Sequence, residues 1–168
     1  MTTARRERKS RRFRSVWTAV LAMTLGSAPV PAIVHAATTE RIVVNSHTGL
    51  AIDGFDPVGY FVDAAPRVGR ADLEFQFAGA TWRFRNSGNR AAFVADPPVY
   101  MPRFGGHDPI AVARGVATPG HPRLWLIAQR RLYLFHSAGA RDRFAANPGR
   151  AIDAAERHWP KVLHTIVP

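Results

Sequence analysis

Apolar and polar residues alternate from residue 73. Leu73, Phe75 and Phe77 are separated by Glu74 and Gln76, which is the period of a half-buried strand. Ala78-Gly79-Ala80 then turns the chain, and Trp82 and Phe84 point to one face of a return strand. Asn86 or Ser87 can cap a following helix by accepting backbone N–H bonds. Phe93 is the helix's main apolar anchor. Pro97 ends it, because a proline disfavours helical geometry at the residue before it. A second stretch has the same outline: strand at 124–128, return strand at 132–135, a Ser137 cap, and a helix that stops at Asn147-Pro148.

The two stretches align without a gap at an offset of 51 residues. Trp82 meets Tyr133, Phe84 meets Phe135, Gly88 meets Gly139, Arg90 meets Arg141, Phe93 meets Phe144 and Pro97 meets Pro148. Two copies are too few for a solenoid. The expected architecture is therefore a small single α+β domain of two tandem β-β-α units, about 73–97 and 124–148. A C-terminal helix over 149–159, closed by Pro160, follows them.

The repeat bears on the His136-Ser137 pair, which invites a catalytic reading. Ser137 aligns with Asn86, which suits a cap and cannot serve as the same nucleophile, so Ser137 is read as a cap. On the return strands Tyr133 and Phe135 face the helix, as Trp82 and Phe84 do. The opposite faces differ, with Leu134 and His136 in one copy and Arg83 and Arg85 in the other. Copy two thus turns a half-apolar face to the rest of the domain or to a pocket. His136 there is a packing residue or a ligand.

Charge concentrates at the front. The chain of 168 residues carries a formal +11, yet residues 5–14 alone hold seven basic residues and one acid. An apolar run follows and ends in Val34-His35-Ala36. A basic segment, an apolar segment and small residues at −3 and −1 have the form of an export signal, with the cut after Ala36. Gly26, Pro29 and Pro31 interrupt the run, which disfavours a permanent membrane span. An uncleaved anchor is the alternative. Ser10-Arg11-Arg12-Phe13 leaves the twin-arginine route open. Residues 37–168 keep sixteen basic against eleven acidic residues, scattered along the chain, so no nucleic-acid footprint is expected. No cysteine is present, which excludes thiolate-bound metal and thiol redox chemistry.

Four stretches carry a family resemblance: GLAIDGFDPVGYF at 49–61, GATWRFRNSGNRAAFVADPPVYMPRFGG at 79–106, RLYLFHS at 131–137 and HWPKV at 158–162. In this order and spacing they resemble the exported bacterial YHS domain-containing proteins over about 43–162. The resemblance implies a small α+β domain of the periplasm or exterior, with a metal or redox association and no established activity. Exported members commonly continue their Gly-Gly with Tyr-Cys. Here Gly105-Gly106 is followed by His107-Asp108, an imidazole and a hard carboxylate in place of a phenol and a soft thiolate. A divalent metal at that place would shift toward zinc, Cu(II), iron or manganese; the alternative is that the site has been lost.

His107 and Asp108, joined by His136, are the candidate metal ligands, with zinc or copper as the metal. No HxH, HxxxH or HExxH spacing supports them. The bland reading makes this a Gly-rich loop with Asp108 in a turn before Pro109. Asp53-Gly54-Phe55-Asp56-Pro57 is likewise read as architecture, a fixed turn, with Asp56 and Pro57 as structural residues. No nucleophile elbow, P-loop or dinucleotide fingerprint occurs. Three functions stay open: a non-catalytic binding module, a small metal-assisted oxidoreductase, and a scaffold with a degenerate site that docks an envelope protein.

Overall fold

A computed structural model describes residues 42–166. The expected export segment at 1–36 lies outside the described residues. The two alternating stretches form two antiparallel hairpins, β1 (Arg70–Phe77) with β2 (Ala80–Phe84), and β3 (His121–Ala128) with β4 (Arg131–Phe135). Each hairpin is followed by a nine-residue helix, α2 (Ser87–Ala95) or α5 (Ala138–Ala146). Short helices α1 (Gly59–Val62), α3 (Pro97–Tyr100) and α4 (Pro109–Val112) connect them, and α6 (Pro148–Ile166) closes the domain. The α+β class and the doubled hairpin-plus-helix plan follow the sequence pattern.

Helix seating is the same in both copies. Phe93 meets Trp82 and Phe84 at ring-centroid distances of 5.0 and 5.2 Å. Phe144 meets Tyr133 and Phe135 at 4.8 and 5.1 Å. All six rings are buried. Asn86 Oδ1 accepts from the Asn89 N–H at 2.8 Å, and Ser137 Oγ accepts from the Ala140 N–H at 3.2 Å. Ser137 is thus a helix cap, which satisfies one of the donors a helix start leaves free.

The return strands differ in what lies behind them. On β2, Ala80, Trp82 and Phe84 are buried while Thr81 and Arg83 are only partly so. On β4, Leu132 and Leu134 join the core of the first copy, and Tyr133 and Phe135 build the core of the second. Strand β4 is the shared wall between the copies. The apolar face expected behind it is packing at Leu132 and Leu134. Tyr60 strengthens the junction: its hydroxyl donates to the Pro122 carbonyl at 2.8 Å, and its ring packs edge-on against Trp125 at 5.3 Å. Burial in this apolar setting pushes its phenol well above the ordinary tyrosine range.

Helix α6 corrects the sequence reading, because it continues through Pro160 to Ile166. A proline inside a helix removes one backbone bond. Pro160 faces solvent, where water can take the freed carbonyl, and beyond it Val162 is fully buried. Packing of the last turn outweighs the lost bond. Arg90 is exposed on α2 and is tied back to β1. Its Nε donates to the Glu74 carbonyl at 2.9 Å, and its guanidinium lies 5.8 Å from the Phe75 ring centre.

The hairpin tips share a shape and differ in chemistry. Ala78-Gly79 and Gln129-Arg130 all have positive φ, 52° and 75° in the first pair and 48° and 60° in the second. This is the left-handed two-residue turn that matches strand twist and favours Asn-Gly. Left-handed geometry costs ordinary residues about 1–2 kcal/mol each. The second tip holds it with two long side chains.

A pair of glycines is fixed by close approach. A Cβ on Gly69 would lie 2.5 Å from the Arg83 carbonyl carbon, and one on Gly120 would lie 2.6 Å from Leu134 Cβ and 2.8 Å from the Gly106 carbonyl oxygen. Gly69→Ala and Gly120→Ala are each expected to lower stability in urea unfolding by about 1–3 kcal/mol. Gly149→Ala, with nothing within 4 Å of its Cβ position, is the control and should not destabilise.

Candidate functional site

Asp108 sits where a tight left-handed turn enters α4. Phe104, Gly105 and Gly106 have φ of 54°, 61° and 92°. Asp108 Oδ1 accepts from the backbone N–H of Ile110 at 2.8 Å and of Ala111 at 3.4 Å. Its Oδ2 accepts from the His136 backbone N–H at 2.9 Å. The carboxylate therefore caps α4 with one oxygen and clips the end of β4 with the other. A buried carboxylate is costly unless hydrogen-bonded, and this one is 2% exposed.

Asp56 does the same work. Its Oδ1 accepts from the Val58 and Gly59 N–H groups at 2.9 and 3.3 Å. Its Oδ2 accepts from the Arg85 N–H at 2.8 Å and from Asn89 Nδ2 at 2.6 Å. Arg85 directly follows β2 as His136 directly follows β4. The turn before it, Ile52-Asp53-Gly54, is also left-handed, with φ of 43°, 53° and 76°. The Gly69 N–H donates to the Gly54 carbonyl as the Gly120 N–H does to Gly106, both at 2.9 Å. Asp56 donates its own N–H to the Arg67 carbonyl, and Asp108 to that of Thr118.

The repeat is thus larger than the sequence reading gave. It starts at the left-handed turns and includes both Asp-Pro corners, so the Gly-Gly-His-Asp segment is no free loop between copies. It is the second copy of Asp53-Gly54-Phe55-Asp56. The signal was present as Gly-x-Asp-Pro at 54–57 and at 106–109. It stands at an offset of 52, one more than the hairpins, so an ungapped comparison at 51 passes over it.

The three proposed metal ligands do not form a set. Among the described residues no three His, Cys, Asp or Glu side chains group as a metal site. Both oxygens of Asp108 are engaged by backbone donors. His136 is exposed, and its Nδ1 lies 3.3 Å from the Pro119 carbonyl, which corrects its expected half-apolar setting. His107 is 8% exposed and takes the position of Phe55. It packs 5.9 Å from the Trp159 ring and borders a groove of about 370 Å³ lined by Ile42, Val43, Val44, Pro119 and Ile166. Its buried Nδ1 has no hydrogen-bond partner.

Burial holds the His107 pKa below the ordinary histidine value, partly offset by the Thr118 backbone. The folded state then binds this proton less readily than the unfolded chain. Stability is full above the unfolded value of about 6.5 and is lost as pH falls below it toward the folded value. His107→Phe, which restores the residue of the first copy, should remove that part of the loss. Thermal unfolding of both proteins from pH 7.5 to 5 checks this; parallel curves would contradict it.

The comparisons with known proteins found no matching family model, no similar curated protein and no similar solved structure. Among the described residues no helix is long and apolar enough to cross a membrane.

Proposed function

We propose that the chain is an exported, non-catalytic binding module of the YHS type, with architecture in its two Asp-Pro corners and recognition on its surface. One observation carries this reading: Asp56 and Asp108 make the same clips in the two copies. Residues used identically in both copies support a structural assignment. The family type rests on the order of the sequence motifs, and export rests on the basic and apolar front segment.

A second reading, metal binding, is favoured by the unpartnered Nδ1 of His107. An imidazole nitrogen left without a partner in a buried place is a donor to a soft or borderline metal ion. Calorimetric titration with zinc and copper separates the two readings. The binding-module reading expects no stoichiometric metal uptake and the same result for His107→Ala. One equivalent bound tightly, and lost in His107→Ala, would establish the metal reading instead.

A further inference from the structure

An apolar cleft with a cationic rim lies at the junction of the copies. It is lined by Phe61 of α1, Val99 of α3, Ile127 of β3, and Gln129, Arg130 and Arg131 at the second hairpin tip, and measures about 550 Å³. That lies in the range of small-molecule sites. Phe61 is held edge-on against Tyr100 at 5.5 Å, which fixes the floor. Arg131 donates from Nη1 to the Pro98 carbonyl at 2.7 Å, which ties the tip to the α3 wall. Val99 and Ile127 remain 36% and 37% exposed.

Comparison of the copies isolates what is special here. In the first copy the paired positions are Gln76 and Thr81, whose side chains hydrogen-bond at 2.6 Å. In the second they are Ile127 and Leu132, of which Leu132 is covered and Ile127 faces the cleft. The tip differs too, with Gln129-Arg130 holding a left-handed turn that Ala78-Gly79 makes with a glycine. Turn chemistry alone favours glycine at that place. No acidic residue lines the cleft, and among the described residues Arg130 makes no ion pair.

We infer that this cleft binds an aliphatic carboxylate, with the alkyl chain on Phe61, Val99 and Ile127 and the carboxylate on the Arg130 guanidinium. The apolar floor selects the tail, and the unpaired cation selects the charge, since guanidinium–carboxylate bonds are the strong, directional kind. The inference goes beyond the binding-module reading and does not depend on the absence of metal.

The test is an amide-resolved NMR titration of the purified chain with octanoate, octanol and octyltrimethylammonium. Saturable shifts at Ile127, Gln129 and Arg130 are expected with octanoate, and affinity about tenfold weaker or worse with the other two. Arg130→Gly relieves the turn, so it should raise the melting temperature while weakening octanoate about tenfold. These opposite signs separate recognition from a structural role. Equal affinity for octanoate and octanol, unchanged binding in Arg130→Gly, or no saturation by about 10 mM would overturn the inference.

Discussion

Asp56→Asn is expected to destabilise the domain by about 3–5 kcal/mol. The side chain is fully buried and accepts four hydrogen bonds, from Val58, Gly59, Arg85 and Asn89. Asparagine keeps the shape and replaces one acceptor oxygen with a donor. One pair of N–H groups then faces another N–H and is stranded away from water, at about 1.5–3 kcal/mol for each charged-group bond lost. Asp108→Asn should follow the same course with a somewhat smaller loss, because Ala140 stands where Asn89 stands and supplies no fourth bond. A total stability of roughly 5–15 kcal/mol makes either loss large. Urea unfolding curves measure both. A change of under ~1 kcal/mol at Asp108 would show that its carboxylate is free for another role.

Phe93→Ala and Phe144→Ala are each expected to cost about 3–5 kcal/mol. Each ring is the peg that seats a nine-residue helix on its hairpin, with no exposed surface and two aromatic partners about 5 Å away. The helices have little else. Among the α5 residues only Ala140 and Phe144 are buried, and α2 buries only Asn89 and Phe93. Helices of this length are marginal without tertiary packing, so each should fray once its peg is removed. The two rings belong to separate clusters, and their effects should be close to additive in the double variant if it still folds. Near-equal single losses, read from thermal or urea unfolding, fit the doubled plan. A loss at only one of the two sites would contradict it.

The hairpins and their helices were legible because strand alternation, caps and the halting prolines are local signals. Trp82, Phe84 and Phe93, with Tyr133, Phe135 and Phe144, could be placed from periodicity alone. Tertiary burial decided the rest. Whether β4 faced a pocket or a core depended on Leu132 and Leu134 packing against the first copy, which no local pattern records. The reach of α6 past Pro160 depended on burial of Val162 in the same way. The Asp-Pro corners were recognised as turns, but their equivalence was hidden by the one-residue change of offset. That equivalence turns Asp108 from a candidate ligand into a clip, and leaves His107 as a histidine at a phenylalanine's place.

The most direct test is amide hydrogen exchange at Arg85 and His136, the residues that directly follow the two return strands. Both backbone N–H groups donate to a buried carboxylate, Arg85 to Asp56 and His136 to Asp108. The doubled clip requires both amides to exchange slowly in the wild type, despite the exposure of their side chains. It also requires Arg85 to lose protection in Asp56→Ala, and His136 to lose it in Asp108→Ala, which leave no acceptor oxygen, each beyond the change in global stability. Free exchange of His136 in the wild type, or full protection of it in Asp108→Ala, would contradict the assignment and return Asp108 to the pool of residues available for chemistry.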